Sequence, residues 1–352
     1  MGLVLALAVG LWLLGAVLGT PRRLRLVMVG LLWLGVVALH LVLPTGHPLR
    51  LATGASAAPW LILGGLAGLI GVYSYALQRL KARAAAAEDA MEQTADTGRF
   101  SDAELERYAR HIVLREVGGP GQKALKRARV LVIGAGGLGS PAMLYLAAAG
   151  VGTIGLIDDD EVDLSNLQRQ VIHNDADIGL PKVQSAAAHL RALNPHVELR
   201  PYHRRLTDEI AADLFADYDI ILDGTDNFAT RYLANRAAVA AGKPLVSGAL
   251  AQWEGQISVF DPARGAPCYQ CVFPEAPAPG LAPSCAEAGV MGPLPGVIGA
   301  MMAGETIKLI TGAGEVLRGQ MLIYDALYAD ARKFSLKRRA DCPVCGDRKE
   351  EA

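Results

Sequence analysis

Long runs of apolar residues dominate the N-terminal part of the chain. The runs at residues 2–19, 26–43 and 52–77 contain no Asp, Glu, Lys or Arg. Because an α-helix rises about 1.5 Å per residue, eighteen residues cover about 27 Å, close to the roughly 30 Å hydrocarbon core of a bilayer. The pattern predicts three transmembrane helices and a membrane anchor at residues 1–78. Buried helices of a large soluble core are the alternative, but such helices rarely follow one another without charge.

Basic residues indicate the orientation of the predicted anchor. They follow the first and the third apolar run: Arg22, Arg23 and Arg25, then Arg79, Lys81 and Arg83. Between the second and third runs there is one basic residue, Arg50. Since cytoplasmic loops carry an excess of Lys and Arg, we expect a multi-pass protein of the inner (cytoplasmic) membrane, with everything after about Gln78 in the cytoplasm. No charge precedes the first run, so we do not expect a cleaved signal peptide.

Apolar and mixed segments alternate from residue 100 onward, as strands and helices do. Residues 79–99 are rich in Ala, Arg, Lys, Glu and Gln, which predicts a helical linker. Buried strands are predicted at residues 128–134, 153–158 and 219–223. This alternation indicates an α/β domain at residues 100–352 with a Rossmann-like, doubly wound and mostly parallel sheet. A Pro/Ala segment at residues 274–283 is predicted to be a mobile loop.

The first predicted strand ends in a glycine-rich turn, GAGGLG. Its glycines are Gly134, Gly136, Gly137 and Gly139. Glycine lets the backbone approach phosphate groups, which the N-terminus of the following helix attracts. Asp158 ends the next strand about twenty residues on, where a carboxylate binds a ribose hydroxyl. On their own, these features indicate a nicotinamide or flavin site.

Charged residues further along the chain change that interpretation. Asn166 and Arg169 lie in the polar stretch LSNLQRQ, Lys182 begins a helical pattern, and Asp226 lies in DGTDN after the third strand. A triphosphate with a departing pyrophosphate requires Arg and Lys side chains and a magnesium ligand, whereas a dinucleotide requires little positive charge. The combination therefore favours ATP with Mg²⁺ over a nicotinamide cofactor.

The cysteines predict a second, metal-binding site. Two CxxC pairs are formed by Cys268, Cys271, Cys342 and Cys345. Disulfides are not expected in a reducing cytoplasm, and four thiolates in this spacing suit tetrahedral Zn²⁺ with no open position. We therefore predict a structural zinc site that links the two segments. The fifth cysteine, Cys285, lies outside the pairs in the stretch PSCAEAGV.

Together these motifs resemble those of a known family. GAGGLG, DxDxVxLSNLQRQ, GxPK and DGTDN are similar to motifs of the ThiF/MoeB/HesA family of sulfur-carrier adenylyltransferases, which is related to the ubiquitin-activating enzymes. The resemblance covers residues 101–346. The apolar N-terminal part lies outside the family pattern, and we do not expect the sulfurtransferase domain that some relatives append.

The resemblance implies an activity and roles for the site residues. The activity is ATP-dependent adenylation of the C-terminal glycine carboxylate of a ubiquitin-like sulfur-carrier protein ending in Gly-Gly, of the molybdopterin-synthase small-subunit or thiamine type. The products are an acyl-adenylate and pyrophosphate. By this resemblance Asp158 binds the ribose, and Asp226 binds magnesium. The phosphates are bound by Asn166, Arg169 and Lys182.

The resemblance also implies partners. Arg110, in RYARHIVL, matches an arginine that reaches into the ATP site of the partner subunit, which implies a homodimer. Cys285 matches a position where some relatives form a covalent acyl link to the carrier and others do not, so a catalytic role and no role both remain open. A sulfurtransferase is expected as the later sulfur donor.

Charge and composition bear on three alternative functions. With a net charge of −1 and no basic stripe, the chain is not expected to bind nucleic acid. This argues against a tRNA-modifying dehydratase of the same superfamily, as do the CxxC pairs. The set Arg169, Lys182 and Asp226 argues against a membrane-linked nicotinamide-dependent oxidoreductase. The full set of phosphate ligands argues against a non-catalytic scaffold that only binds the carrier.

Overall fold

The structure is a computed structural model that describes residues 2–44, 46–54, 56–94, 99–278 and 285–346. The chain divides into two compact units, Met1–Asp96 and Thr97–Ala352. The loop predicted at residues 274–283 lies partly outside the described residues.

Helices make up the described part of the first unit: α1 (Gly2–Val17), α2 (Arg22–Val42), α3 (Pro48–Thr53) and α4 (Ala58–Thr94). By length and composition, α2 and the segment Ala58–Tyr75 of α4 are the described helices that can cross a membrane, and little of either is buried. Helix α1 has 16 residues. At about 24 Å it is shorter than the hydrocarbon core. The prediction of three transmembrane helices is therefore not supported: two candidate spans are found.

The shortness of α1 has a local cause, and a small core holds the unit together. The chain leaves α1 through Gly19, whose φ is +69°, and Pro21 precedes α2. Residues of three helices form the core: Val4, Val36, Val37 and Trp60. The Trp33 indole N–H donates to the carbonyl of Trp60 at 2.8 Å. A side chain at Gly64 would collide with the Trp33 ring, so glycine there permits the close packing of α2 on α4.

The second unit is built on an eight-stranded sheet. Its strands are β1 (Arg129–Ile133), β2 (Thr153–Asp158), β3 (Glu198–His203), β4 (Ile220–Asp223), β5 (Leu245–Ala251), β6 (Glu254–Phe260), β7 (Gln320–Asp325) and β8 (Asp330–Ser335). They are ordered β3-β2-β1-β4-β5-β6-β7-β8. The pairs from β3 to β5 are parallel, whereas β5 to β8 form antiparallel pairs.

Helices connect and cover these strands. They are α5 (Asp102–Ile112), α6 (Gly118–Arg127), α7 (Gly139–Ala149), α8 (Lys182–Leu193), α9 (Asp208–Ala216), α10 (Phe228–Ala240), α11 (Tyr269–Val272), α12 (Cys285–Ala288) and α13 (Leu294–Thr311). Three short 3₁₀ turns are also described: Leu164–Asn166, Asp175–Asp177 and Pro262–Arg264.

Both faces of the sheet are covered by apolar cores. Along β1, Val130 and Val132 belong to the core that includes residues of α7, α8 and α13. Leu131 and Ile133 belong to the opposite core, with residues of α9 and α10. Because successive side chains of a strand point to opposite faces, a strand buried on both faces is apolar throughout. The predicted Rossmann-like α/β fold is confirmed, and the three predicted strands are found as β1, β2 and β4.

Candidate nucleotide and metal sites

The carboxyl ends of β1, β2 and β4 meet at an open cleft of about 1430 Å³. The strand order reverses between β1 and β4, the point at which open α/β sheets bind their ligands. Most of the residues predicted to bind nucleotide or magnesium line this cleft: Gly134, Gly136, Gly137, Asp158, Asn166, Arg169, Lys182 and Asp226. Residues scattered over more than ninety positions are thus brought to one place.

Gly139 is the predicted nucleotide residue that does not line the cleft. It begins α7 beneath the glycine-rich turn, where a side chain would collide with the carbonyl oxygen of Gly134. Gly134 itself has φ of +93°, a conformation that favours glycine. These two glycines therefore permit the tight turn from β1 into α7, and the turn leaves Gly136 and Gly137 facing the cleft.

Asp158 ties the end of β2 to the glycine-rich turn. Its carboxylate accepts hydrogen bonds from the N–H of Ala135 at 2.7 Å and from the N–H of Asp160 at 2.8 Å. Burial raises the pKa of Asp158, although these two hydrogen bonds and the nearby Lys182 act in the opposite direction. A further donor, such as a ribose hydroxyl, would stabilise the charged form of this carboxylate.

Arg169 and Asn166 lie together at one side of the cleft. The Arg169 guanidinium donates to Asn166 Oδ1 at 2.8 Å, and the Gln170 amide donates to the same oxygen at 3.2 Å. With its oxygen engaged, Asn166 presents its amide N–H groups as the donors for an incoming anion. This cluster therefore combines a fixed positive charge with a neutral donor.

Lys182 is buried, with 5% of its surface exposed, and its ammonium contacts the Asp160 carboxylate at 2.7 Å. Asp160 is largely exposed, and its carboxylate forms an acidic group with those of Asp158 and Asp159. A phosphate bound by Lys182 would compete with Asp160 for the same ammonium group. The lysine predicted to bind phosphate is therefore held by a carboxylate in this structure.

The two aspartates of DGTDN have different environments. Asp223 is fully buried, and its carboxylate contacts Arg231 at 3.3 Å and accepts from the Ser247 hydroxyl at 3.0 Å. Asp226 is exposed at the cleft, and among the described residues none donates a hydrogen bond to its side chain. Asp223 thus supports the loop, whereas Asp226 is available to a ligand. Carboxylate oxygens are ligands that Mg²⁺ prefers.

The four paired cysteines meet in a buried cluster, with all four sulfur atoms within 4.8 Å of one another. The Sγ–Sγ distances are 3.8 Å for Cys268–Cys271, 3.6 Å for Cys268–Cys342 and 3.3 Å for Cys271–Cys345. These are too long for disulfides, in which the sulfurs lie about 2.05 Å apart. Tetrahedral zinc with bonds of about 2.3 Å requires separations of roughly 3.8 Å. The cluster therefore fits Zn²⁺.

Protonation within the cluster is uneven. Burial raises the pKa of the Cys268 and Cys271 thiols. At Cys342 burial acts in the same direction, but hydrogen bonds from the backbone of Cys345 and Val344 outweigh it and lower the pKa to about 7. A divalent cation would deprotonate the remaining thiols, as metal binding to cysteine does in general.

Of the remaining candidate catalytic residues, Arg110 lies outside the cleft, and the side chain of Cys285 is not described. Arg110 is exposed near the end of α5 and does not line the cleft of its own chain within the described residues. Cys285 begins α12, but its side chain lies outside the described part of the structure.

Some residues that support the site were not predicted. Arg231 is buried and donates to the carbonyls of Thr225 and Gly248 in addition to its ion pair. His173 is buried behind the glycine-rich turn and contacts the Ala135 carbonyl at 3.0 Å. Sequence offered a weak signal for His173, which follows the polar stretch LSNLQRQ, and none that pairs Arg231 with Asp223.

Comparison with known proteins finds relatives of the second unit. A model of the ThiF family matches residues 108–344. The "Sulfur carrier protein adenylyltransferase" of Thermus thermophilus is 51% identical over 253 residues, which cover 71% of this chain and 93% of that protein. The "Probable adenylyltransferase/sulfurtransferase MoeZ" of Mycobacterium tuberculosis is 54% identical over 247 residues, which cover 69% of this chain and 63% of that protein.

Solved structures give the same fold. The crystal structure of E. coli MccB with ATP superposes with a TM-score of 0.60 at 23% identity, covering 70% of this chain and 75% of that chain. At this identity the likeness concerns the fold alone. The first unit, residues 1–96, lies outside the range matched by the family model.

Proposed function

The chain belongs to the ThiF family, and from this premise we propose that it uses ATP to adenylate the C-terminal carboxylate of a ubiquitin-like sulfur-carrier protein. One observation carries the proposal: the glycine-rich turn, Asp158, Arg169 and Lys182 line one cleft at the reversal point of the sheet. That cleft combines a ribose acceptor with the positive charge that a triphosphate requires. A relative named as a sulfur carrier protein adenylyltransferase supports the proposal that a sulfur-carrier protein receives the AMP group.

The reaction joins the carrier carboxylate to the nucleotide. A carboxylate oxygen bonds to the α-phosphorus while the bond from that phosphorus to the bridging oxygen breaks, and pyrophosphate leaves with the electron pair. The carboxylate is already deprotonated at neutral pH, so no general base is needed. The chain must hold the reactants in line and stabilise the charge that moves onto pyrophosphate. Arg169 and Lys182 line the cleft among the described residues, together with Arg204, Arg205 and Arg231.

Asp160 gives Lys182 a partner before the nucleotide binds. A buried ammonium without a counter-ion would be costly, and the contact at 2.7 Å avoids that cost. In the proposed cycle the Lys182 ammonium group leaves the Asp160 carboxylate and contacts a phosphate oxygen of the nucleotide instead. Mg²⁺ held by Asp226 would neutralise phosphate charge when bound.

We propose that the cysteine cluster holds a structural Zn²⁺, because four thiolate ligands leave no position for a substrate. The cluster joins the segment around α11 to the residues after β8, which are seventy-four positions apart in the pairs Cys268–Cys342 and Cys271–Cys345. We also propose a homodimer, in which the partner receives Arg110. The exposure of Arg110 on α5 is compatible with that role.

We further propose that the enzyme is anchored to the inner membrane with its catalytic unit in the cytoplasm. Basic residues lie at the N-terminal end of the first candidate span, at the start of α2. They also follow the C-terminal end of the second candidate span, Ala58–Tyr75. Both ends face the cytoplasm under the positive-inside rule, whether or not α1 also crosses. A reporter fused after Ala352 should behave as cytoplasmic and one near Thr53 as external; the reverse pattern would refute the orientation.

The adenylation itself can be tested by mass spectrometry. The purified chain, ATP and a carrier ending in Gly-Gly should give a carrier that has gained AMP. The matched control is the same carrier with an amidated C-terminus, which keeps its fold but lacks the reacting oxygen. Modification of the amidated carrier, or of neither carrier, would contradict the proposal.

A further inference from the structure

A buried histidine contacts the glycine-rich turn without lining the cleft itself. His173 has 7% of its surface exposed. One ring nitrogen, Nε2, lies 3.0 Å from the carbonyl oxygen of Ala135, and the other, Nδ1, lies 2.8 Å from the hydroxyl of Ser185. Ala135 is the second residue of the turn, so the histidine contacts the predicted nucleotide loop directly, although it is not among the residues that line the cleft.

The carbonyl determines which ring nitrogen carries hydrogen. Because a carbonyl oxygen only accepts, Nε2 must be the donor to Ala135. Nδ1 contacts the Ser185 hydroxyl, which donates its single hydrogen to the Asp177 carboxylate at 2.7 Å. Burial lowers the pKa of His173, and Nε2 carries the hydrogen that faces Ala135 whether the ring is neutral or charged. The ring is thereby fixed at both nitrogens.

Peptide geometry connects this hydrogen bond to the cleft. The carbonyl of Ala135 and the N–H of Gly136 belong to one planar trans peptide, in which the two groups point in opposite directions. Holding the carbonyl toward His173 therefore turns the Gly136 N–H away from the histidine. Gly136 lines the cleft, and within the described residues its N–H has no hydrogen-bond acceptor.

The preceding peptide is held as well. The Ala135 N–H donates to Asp158 at 2.7 Å, so both polar groups of Ala135 have defined partners. The Ser140 hydroxyl also approaches the Ala135 carbonyl, at 3.5 Å, but its closer acceptor is the Gly136 carbonyl at 2.6 Å. His173 is thus the strongest described donor to the carbonyl that orients the Gly136 N–H.

We propose that His173 is a positioning residue for nucleotide binding: its Nε2–H holds the Ala135 carbonyl so that the Gly136 N–H is presented to a phosphate of the bound nucleotide. This role rests on the proposed nucleotide site. It requires no proton transfer, since Nε2–H donates to the carbonyl in both protonation states of the ring. The role predicts that the position of the donor on the side chain, rather than the presence of an imidazole, decides nucleotide affinity.

Two amide substitutions separate the nitrogens of the ring. In His173→Gln the side-chain amide nitrogen lies at the position of Nε2 and can still donate to Ala135. In His173→Asn the nitrogen lies at the position of Nδ1 and reaches only toward Ser185. ATP affinity of the purified full-length protein, measured by calorimetry, should be retained in His173→Gln. It should fall roughly fivefold to tenfold in His173→Asn, the loss expected for about one hydrogen bond.

Ser185→Ala is the matched control, because it removes the Nδ1 partner and leaves the bond to Ala135. It should bind ATP like the parent protein, and the KM for the carrier should be unchanged in all three variants. Equal affinity of His173→Asn and the parent would overturn the proposal, as would a loss in Ser185→Ala matching that in His173→Asn. If His173→Asn does not fold, a tenfold loss of affinity in a folded His173→Gln would overturn it equally.

The same experiment separates this inference from the proposed function. If the parent protein binds no ATP, the nucleotide site itself is wrong and both proposals fail. If the parent binds ATP and the two amide variants do not differ, only the role of His173 fails.

Discussion

Replacing Arg231 with methionine should strongly destabilise the second unit. The guanidinium and the Asp223 carboxylate form a buried ion pair at 3.3 Å, with side chains 6% and 1% exposed. The same guanidinium donates to Ser247 at 3.2 Å and to the Gly248 carbonyl at 2.8 Å. Methionine replaces the apolar part of the arginine side chain and has no donor, so Arg231→Met leaves a buried carboxylate without its counter-ion.

The expected magnitude follows from that geometry. Removing one partner of a buried ion pair costs about 3–5 kcal/mol of folding free energy. For domains of roughly 150–250 residues, 1 kcal/mol corresponds to about 2–4 °C in melting temperature, so a fall of about 6–20 °C is expected. Differential scanning calorimetry of the purified full-length chain measures it.

Arg236→Met is the matched control on the same helix, α10. Arg236 contacts Asp208 at 3.1 Å, but the two side chains are 48% and 74% exposed. Exposed pairs contribute about 0–1 kcal/mol, so a shift of no more than about 4 °C is expected. If Arg231→Met and Arg236→Met lower the melting temperature equally, the buried pair does not stabilise the loop as argued here.

Cys342→Ala should release Zn²⁺ and fold poorly, because structural zinc contributes roughly 10–16 kcal/mol to the folding free energy of small zinc-binding peptides. Elemental analysis that finds no zinc in the parent protein would rule the site out. Burial acts to raise the pKa of Glu104, but hydrogen bonds from Lys126 and Ser101 outweigh it and hold the pKa below its ordinary value of 4.5. The resulting stability is present above pH 4.5 and is lost as the pH falls through the folded-state pKa, so the melting temperature of the parent should fall more steeply in acid than that of Glu104→Gln. Asp226→Ala should lower carrier-dependent pyrophosphate exchange by orders of magnitude, because loss of a charge-stabilising group commonly costs several kcal/mol, at about tenfold in rate per 1.4 kcal/mol. Cys285→Ala should leave the exchange intact because adenylation needs no thiol. Near-normal exchange by Asp226→Ala would refute the assignment of Asp226 to magnesium.

Sequence predicted the parts of the fold that depend on local pattern. Strands β1, β2 and β4 are continuous apolar segments buried on both faces, and the glycine-rich turn has a steric requirement visible in its residues. The cysteine cluster was predictable because metal ligation constrains spacing. By contrast, β8 has the sequence DARKFS with few apolar residues and is mostly exposed, so periodicity gave little indication of a strand there.

Pairings between distant side chains were not predictable from the sequence. Lys182 was assigned to phosphate, and nothing in its neighbourhood indicated that Asp160 holds it. The donors to the Ala135 carbonyl and to the Asp223 carboxylate come from elements brought together only by folding. The count of membrane spans failed for a local reason: charge-free sequence continues to Gly19, but the helix ends at Val17.

Carrier-dependent pyrophosphate exchange measures the proposed adenylation step itself. Labelled pyrophosphate, ATP and Mg²⁺ are incubated with the purified chain, with and without a sulfur-carrier protein ending in Gly-Gly. Label should enter ATP when the carrier has a free C-terminal carboxylate, and it should not when the carrier is omitted or amidated. Exchange that does not depend on the carrier would contradict the proposed function. So would the absence of exchange with every Gly-Gly carrier tested, if the chain also binds NAD instead of ATP.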